Sequence, residues 1–168
     1  GTAFEQDVVA DAAIAQSLAD RAMFWRMRHG MSEAQKPEGG SIKHDVSVPV
    51  ASVPAFLSEA IAAIEAFIPG CRPVPFGHLG DGNIHFNVSQ PVGADRQAFL
   101  DRWDEVNALI HGIVARYNGS ISAEHGIGRL KRDLLPAAKG PVAMAMMHSI
   151  KQALDPNGIL NPGKMLRS

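Results

Sequence analysis

Residues 75–88 read Pro75-Phe76-Gly77-His78-Leu79-Gly80-Asp81-Gly82-Asn83-Ile84-His85-Phe86-Asn87-Val88. Gly80-Asp81-Gly82 is a turn signal between two extended stretches, so the segment predicts a β-hairpin. With Asp81-Gly82 at the centre of the turn, Gly80 pairs with Asn83, and His78 lies directly opposite His85. A loop over Gly80–Asn83 predicts the same pairing. Opposed side chains share a sheet face, with Cβ atoms about 4.5–5.5 Å apart. That spacing lets two imidazoles reach one metal ion at about 2.0–2.1 Å each. A slip of one residue would send them to opposite faces.

The same parity sorts the neighbouring segments. Phe76, His78, His85, Asn87 and Ser89 share one face, and Leu79, Ile84, Phe86 and Val88 the other. Lys43-His44-Asp45-Val46-Ser47-Val48-Pro49-Val50 alternates with period two and predicts an earlier strand. It places Lys43, Asp45 and Ser47 opposite His44, Val46 and Val48. Ser120 to Glu124 predicts a last strand, with Ser120, Ser122 and Glu124 facing away from Ile121 and Ala123. Cys71 to Leu79 and Asn83 to Ser89 form the hairpin. Helical spacing covers Val53 to Phe67 and Asp95 to Tyr117, the latter closed by Asn118-Gly119. The order is β-α-β-β-α-β, so the expected class is α+β, a ferredoxin-like antiparallel sheet with helices on one face. The other face gathers Lys, Asp, Ser, His, Asn and Glu. Glu124 is the natural third ligand beside His78 and His85. Such a set leaves coordination positions open, as catalytic metal sites do.

Outside this core, Phe4, Val8, Ala12, Ala15, Leu18, Ala22 and Trp25 recur at helical steps and predict a helix over residues 3–29. Gly30–Gly40 is polar, carries Pro37, Gly39 and Gly40, and reads as a loop. Helical stretches around Leu130–Leu135 and Pro141–Leu154 precede a turn-rich tail. The expected organisation is therefore an N-terminal helix and loop over 1–40, a core over 41–128, and C-terminal helices and tail over 129–168. His29, His111 and His148 fall in helical contexts as surface or core-edge residues. Trp25 and Trp103 read as packing residues.

Composition narrows the function classes. The chain has 168 residues, 46% of them hydrophobic and 20% charged, which is ordinary for a folded globular chain. Sixteen basic and 17 acidic residues leave a formal net charge of −1, so nucleic-acid binding has no electrostatic support. Apolar runs are shorter than the ~20 residues of a membrane span, and no secretory signal pattern is present. A single cysteine, Cys71, excludes an internal disulfide and a thiolate cluster. These features fit a reducing, cytoplasmic compartment.

Three stretches go beyond pattern. The hairpin segment 75–88, Ser120-Ile121-Ser122-Ala123-Glu124-His125-Gly126-Ile127-Gly128, and Leu154-Asp155-Pro156-Asn157-Gly158-Ile159-Leu160-Asn161-Pro162-Gly163-Lys164 resemble the motifs of the FAD-linked oxidase C-terminal domain, in the same order. That family includes D-2-hydroxyglutarate dehydrogenases, D-lactate dehydrogenases and the glycolate oxidase flavoprotein subunit. The resemblance runs from about Trp25 to the C-terminus. It implies a divalent metal, zinc or alternatively manganese, held by His78, His85 and Glu124. It implies His125 as a general base near flavin and substrate, and Asn87 as a substrate-side residue. Upstream, Trp25-Arg26-Met27-Arg28 and Lys43-His44-Asp45-Val46-Ser47 resemble the segments whose cations hold the substrate carboxylate. This points to Arg28 and Lys43, with Ser32 as a hydroxyl donor. In the tail, Asn161 and Lys164 are the candidate cofactor-binding residues.

Family members carry an FAD-binding domain of the vanillyl-alcohol-oxidase type, and nothing in these 168 residues matches it. The expectation is the substrate- and metal-binding portion of an FAD-dependent enzyme oxidising a D-2-hydroxy acid to a 2-oxo acid. The portion alone is expected to be inactive, its partners being the small hydroxy acid, the FAD domain of the same polypeptide and, in one arrangement, a second copy as a homodimer. Two other readings use the same residues: a non-catalytic metal- or small-molecule-binding domain of ferredoxin-like fold, and a scaffold or dimerisation domain with an empty polar face.

Overall fold

The computed structural model describes residues 1–167, apart from the side chain of Ser32. The chain divides into two compact units, Gly1–Glu38 and Gly39–Ser168.

In the N-terminal unit, the helix expected over residues 3–29 is instead a short α1 (Thr2–Glu5) and a longer α2 (Leu18–Ala34). The Ser17 hydroxyl accepts from Asp20 N at 3.0 Å and starts α2 as an N-cap. Residues 6–17 carry helical spacing but are almost all exposed. Helices this short are marginal without a packed face, so the spacing alone does not hold a helix there. The loop expected over Gly30–Gly40 is in part the end of α2 and a 3-10 turn, Lys36–Glu38.

The second unit is built on three antiparallel strands, β1 (Ser41–Ser47), β2 (Arg72–His78) and β3 (Asn83–Ser89), in the order β1-β3-β2. Between β1 and β2 runs α3 (Val53–Phe67). After β3 come α4 (Arg96–Leu100) and α5 (Trp103–Arg116), so the single helix expected over Asp95 to Tyr117 is broken at Asp101-Arg102. The Asp95 side chain caps α4 through Ala98 N. The last helix, α6 (Leu135–Leu154), is kinked at Gly140, just before Pro141.

Alternation explains the core. Ile42, His44 and Val46 of β1 and Ile84, Phe86 and Val88 of β3 point to one face. With Phe56, Ala60 and Ile64 of α3 and Val106, Ile110, Ile113 and Val114 of α5, the apolar ones form one buried cluster, and His44 is buried beside them. Val50–Phe67 is long and apolar enough to pass for a membrane span by composition. Here its Phe56, Ala60 and Ile64 are fully buried in that cluster.

The class is α+β. The expected fourth strand is reduced to one antiparallel bridge, Ser47 to Ser120, on the outer edge of β1. Beyond Ser120 the backbone donors turn away from the sheet. The N–H groups of Ala123, Glu124 and His125 are taken by the Asp45 carboxylate instead of by a neighbouring strand.

The hairpin register also differs from the expectation. His85 pairs with Phe76, and His78 pairs with Asn83, so the register is shifted by two residues and His78 is not directly opposite His85. The turn lies outside both strands, with Asn83 N donating to Asp81 Oδ1 at 3.0 Å. An even shift preserves parity, so His78 and His85 still share a face, as diagonal neighbours. Leu79 falls in the turn and is exposed. At Gly82, φ is +74° and the backbone meets Val48, whose N–H donates to Gly82 O at 3.1 Å. A Cβ at Gly82 would collide with the Val48 carbonyl oxygen.

Candidate functional site

The site is assembled on the sheet face turned away from α3 and α5. His78 ends β2, and His85 lies in β3 across from Phe76. Glu124 and His125 sit on the loop after the Ser47–Ser120 bridge. Glu124 reaches between the two histidines: its Oε1 is 3.0 Å from His78 Nδ1, and its Oε2 is 3.5 Å from His85 Nε2. The reach that a missing fourth strand might have denied is thus supplied by the loop.

His85 is flanked by rings. Phe76 lies 5.2 Å from it, centroid to centroid, and His125 stacks on it at 5.5 Å. The His125 side chain is otherwise open, 67% exposed, and its Nδ1 is 3.8 Å from Asp45 Oδ2.

Two residues that sequence reasoning did not single out shape this cluster. Asn83 is buried and donates from Nδ2 to Glu124 Oε1. Its Oδ1 is buried without a hydrogen-bond partner among the described residues. Asp45 is 4% exposed. Its carboxylate accepts from Ser122 Oγ at 3.0 Å, Ala123 N at 3.2 Å, Glu124 N at 3.0 Å and His125 N at 2.8 Å. Burial opposes ionisation of Asp45, but the N–H groups of His125 and Glu124 and the Ser122 hydroxyl outweigh it and hold the carboxyl below its usual range. The signal for both residues was face parity: Asp45 pairs with His85, and Asn83 with His78.

The donor set suits a divalent cation. Two imidazole nitrogens each lie near one oxygen of a shared carboxylate, and an unused amide oxygen lies beside them. The two contacts run to different oxygens of the carboxylate, at 3.0 and 3.5 Å. Among the described residues, the set that offers one ligand atom each within 4.8 Å of one another is Asp45, His85 and His125, not the expected His78, His85 and Glu124. In that set the Asp45 oxygens already face N–H and O–H donors.

The remaining sequence candidates are placed as follows. Lys43 pairs with Asn87 across β1 and β3, on the same face as the histidines and two positions along from His85. Asn87 is buried and Lys43 exposed. Arg28 lies on α2 of the N-terminal unit, over the Trp25 ring at 5.7 Å. Ser32 is on the same helix, its side chain outside the described residues. Asn161 and Lys164 lie in the tail. Arg132 Nη1 ties that tail down at Gly163 O, 3.0 Å, and Met165 N at Gly128 O, 2.7 Å. The structure brings together His78, His85, Glu124 and His125, with Lys43 and Asn87 on the same sheet face. No hydrogen bond joins Asn161 or Lys164 to them among the described residues.

Known proteins resemble the chain over nearly its whole length. The chain is 41% identical over 167 residues to the D-2-hydroxyglutarate dehydrogenase of Xanthomonas citri pv. viticola, covering 99% of this chain and 35% of that protein. A protein of the same name from Stutzerimonas stutzeri is 41% identical over 161 residues, 96% of this chain and 34% of the relative. The mitochondrial D-2-hydroxyglutarate dehydrogenase of Arabidopsis thaliana is 36% identical over 162 residues, 96% of this chain and 28% of the relative. The chain thus spans about a third of the length of the curated relatives it matches. With residues 1–165 matching the family model described as FAD linked oxidases, C-terminal domain, the chain belongs to that family.

Proposed function

We propose that this chain is the substrate- and metal-binding portion of an FAD-dependent dehydrogenase that oxidises a D-2-hydroxy acid to the 2-oxo acid. The observation that carries the reading is the Glu124 carboxylate lying within ion-pair distance of both His78 and His85 on a polar sheet face. His78 Nδ1, His85 Nε2 and the Glu124 carboxylate hold a divalent cation, zinc or manganese. When bound, that cation acts as a Lewis acid toward the substrate hydroxyl and fixes its orientation. The flavin supplies hydride acceptance and belongs to a domain beyond this chain.

The chain's own residues do the rest. Lys43 offers a cation for the substrate carboxylate from the same sheet face, and Asn87 a polar contact beside it. The resemblance gives Arg28 and Ser32 of the N-terminal unit a substrate-binding role, and Asn161 and Lys164 a cofactor-binding one. His125 takes the hydroxyl proton at Nε2. Its Nδ1 then lies within ion-pair distance of the Asp45 carboxylate, at 3.8 Å. The dehydrogenase relatives support D-2-hydroxyglutarate as the first substrate to try. They come from bacteria and, in plants and animals, from mitochondria by name, and a soluble compartment such as the cytoplasm is the setting we assign.

The test uses the natural polypeptide that contains this chain. His78→Ala should lose both bound zinc and turnover of D-2-hydroxyglutarate. Unchanged metal content with unchanged rate would remove the metal from the reaction.

A further inference from the structure

Glu124 and His125 carry the chemistry proposed above, yet no strand holds them. The sheet ladder reaches this segment at Ser120 alone among the described residues. Asp45 of β1 performs the task that a strand partner would have performed. Across the ladder it pairs with His85, so it stands on the same face as that ligand. Its two oxygens take the N–H groups of three consecutive residues, Ala123, Glu124 and His125, together with the Ser122 hydroxyl. Oδ2 takes the Ser122, Ala123 and His125 donors, and Glu124 N donates to Oδ1. The start of the loop is held separately: Lys131 Nζ donates to Ile121 O at 2.6 Å and to Asp45 O at 3.3 Å.

We propose that Asp45 is a positioning residue for the metal site. Its buried carboxylate fixes the backbone of Ala123–His125 against β1, so that the Glu124 carboxylate arrives between His78 and His85 and the His125 ring stacks on His85. The inference rests on the metal-site reading and adds to it a residue that acts through the loop backbone. Charge-assisted bonds from backbone N–H groups to a carboxylate are the strong kind. Partners that orient ligands commonly cost ~10–100-fold in metal affinity when removed.

The experiment is a zinc titration of the natural full-length polypeptide against a chromophoric competitor, with the visible spectrum of the cobalt(II)-loaded protein as a second readout. Asp45→Asn keeps the size of the side chain but turns an amide NH2 toward the loop donors. It should weaken zinc binding by ~10–100-fold and change the cobalt spectrum. Ile110→Ala, a core truncation away from the loop, should lower the melting temperature and leave zinc affinity alone, which separates positioning from general stability. If Asp45→Asn fails to fold, Ser122→Ala takes its place: it removes one donor and leaves the charge, and should weaken zinc at least severalfold. Unchanged zinc affinity in the folded Asp45 variant, or in Ser122→Ala when that variant is the one tested, overturns the proposal. His78→Ala separates the two levels. Loss of zinc there with no loss in the Asp45 variant overturns the positioning role alone. A wild-type protein that binds no zinc overturns both.

Discussion

Two pairs of histidines sit on or against the same sheet, on opposite faces. His44 of β1 points into the core, where its Nδ1 donates to Phe86 O at 2.7 Å and its ring meets His111 of α5 edge-on at 5.8 Å. Burial pushes the pKa of each of these two imidazoles down to about 4. His78 and His85, on the opposite face, share a carboxylate instead. Identical side chains are thus given opposite tasks by the parity of their strand position. One pair is kept neutral among apolar neighbours as part of the packing. The other is left beside an anion on the polar face.

The sharpest way to break this contrast is to delete one histidine from each pair and titrate zinc. His85→Ala should reduce affinity by more than the ~100-fold that outer-shell partners can cost, whereas His111→Phe should leave it within a factor of two or so of wild type. Equal losses in both would dissolve the distinction.

The next effect is on the turn that carries His78. Gly82→Ala forces a Cβ into the Val48 carbonyl at a positive φ. It should cost about 2 kcal/mol or more, read as a lower urea midpoint with zinc absent. An unshifted midpoint would mean the turn is free of β1.

Acid should act on the core pair. The unfolded chain binds protons on these histidines near pH 6.5, the folded one only near 4. Their contribution to stability is therefore complete above pH 6.5 and lost as pH falls toward about 4. The slope is up to ~1.4 kcal/mol per pH unit for each group. Asp45, held below its usual range, adds a further loss in stronger acid, where its carboxylate takes up a proton. Thermal melts from pH 7.5 to 4.5 should show the decline, and His111→Phe should flatten it. A melting temperature constant over that range would contradict the buried neutral assignment.

The smallest effect is expected far from both pairs. Glu59 of α3 accepts from Tyr117 Oη at 2.8 Å and pairs with Arg116 of α5, an exposed network. Glu59→Gln should lower the melting temperature by about 1 °C and leave zinc binding untouched.

The parts of the fold that follow from local periodicity were readable. Val53 to Phe67 is a helix over that span because its apolar positions fall on one side and Pro54 stands in its first turn. The polar and apolar faces of the strands were also readable, since a two-residue error in register leaves every side chain on its own face. What local pattern did not contain was the register itself, set by a turn longer than Asp81-Gly82. It did not contain the break at Asp101-Arg102 either, or the collapse of Ser120–Glu124 into a loop. In that loop the backbone donors go to Asp45, about eighty residues away in the chain. In a strand of alternating polarity, Asp45 looks like any solvated acid. The candidate ligands were legible because motif and parity agreed on them. The residues that hold them in place were not, because their partners are distant in sequence.

The meeting of Gly82 with Val48 has one more consequence. Exposed reverse turns usually accept substitution, since a misfit there is relieved by rotating a side chain into water. Here peptide group abuts peptide group, and a peptide has no rotamers to offer. The end of the hairpin therefore moves as one piece with the exit of the first strand. A repacking mutation that shifted that strand would be felt at His78 as a displaced ring, with nothing soft in between to take up the difference.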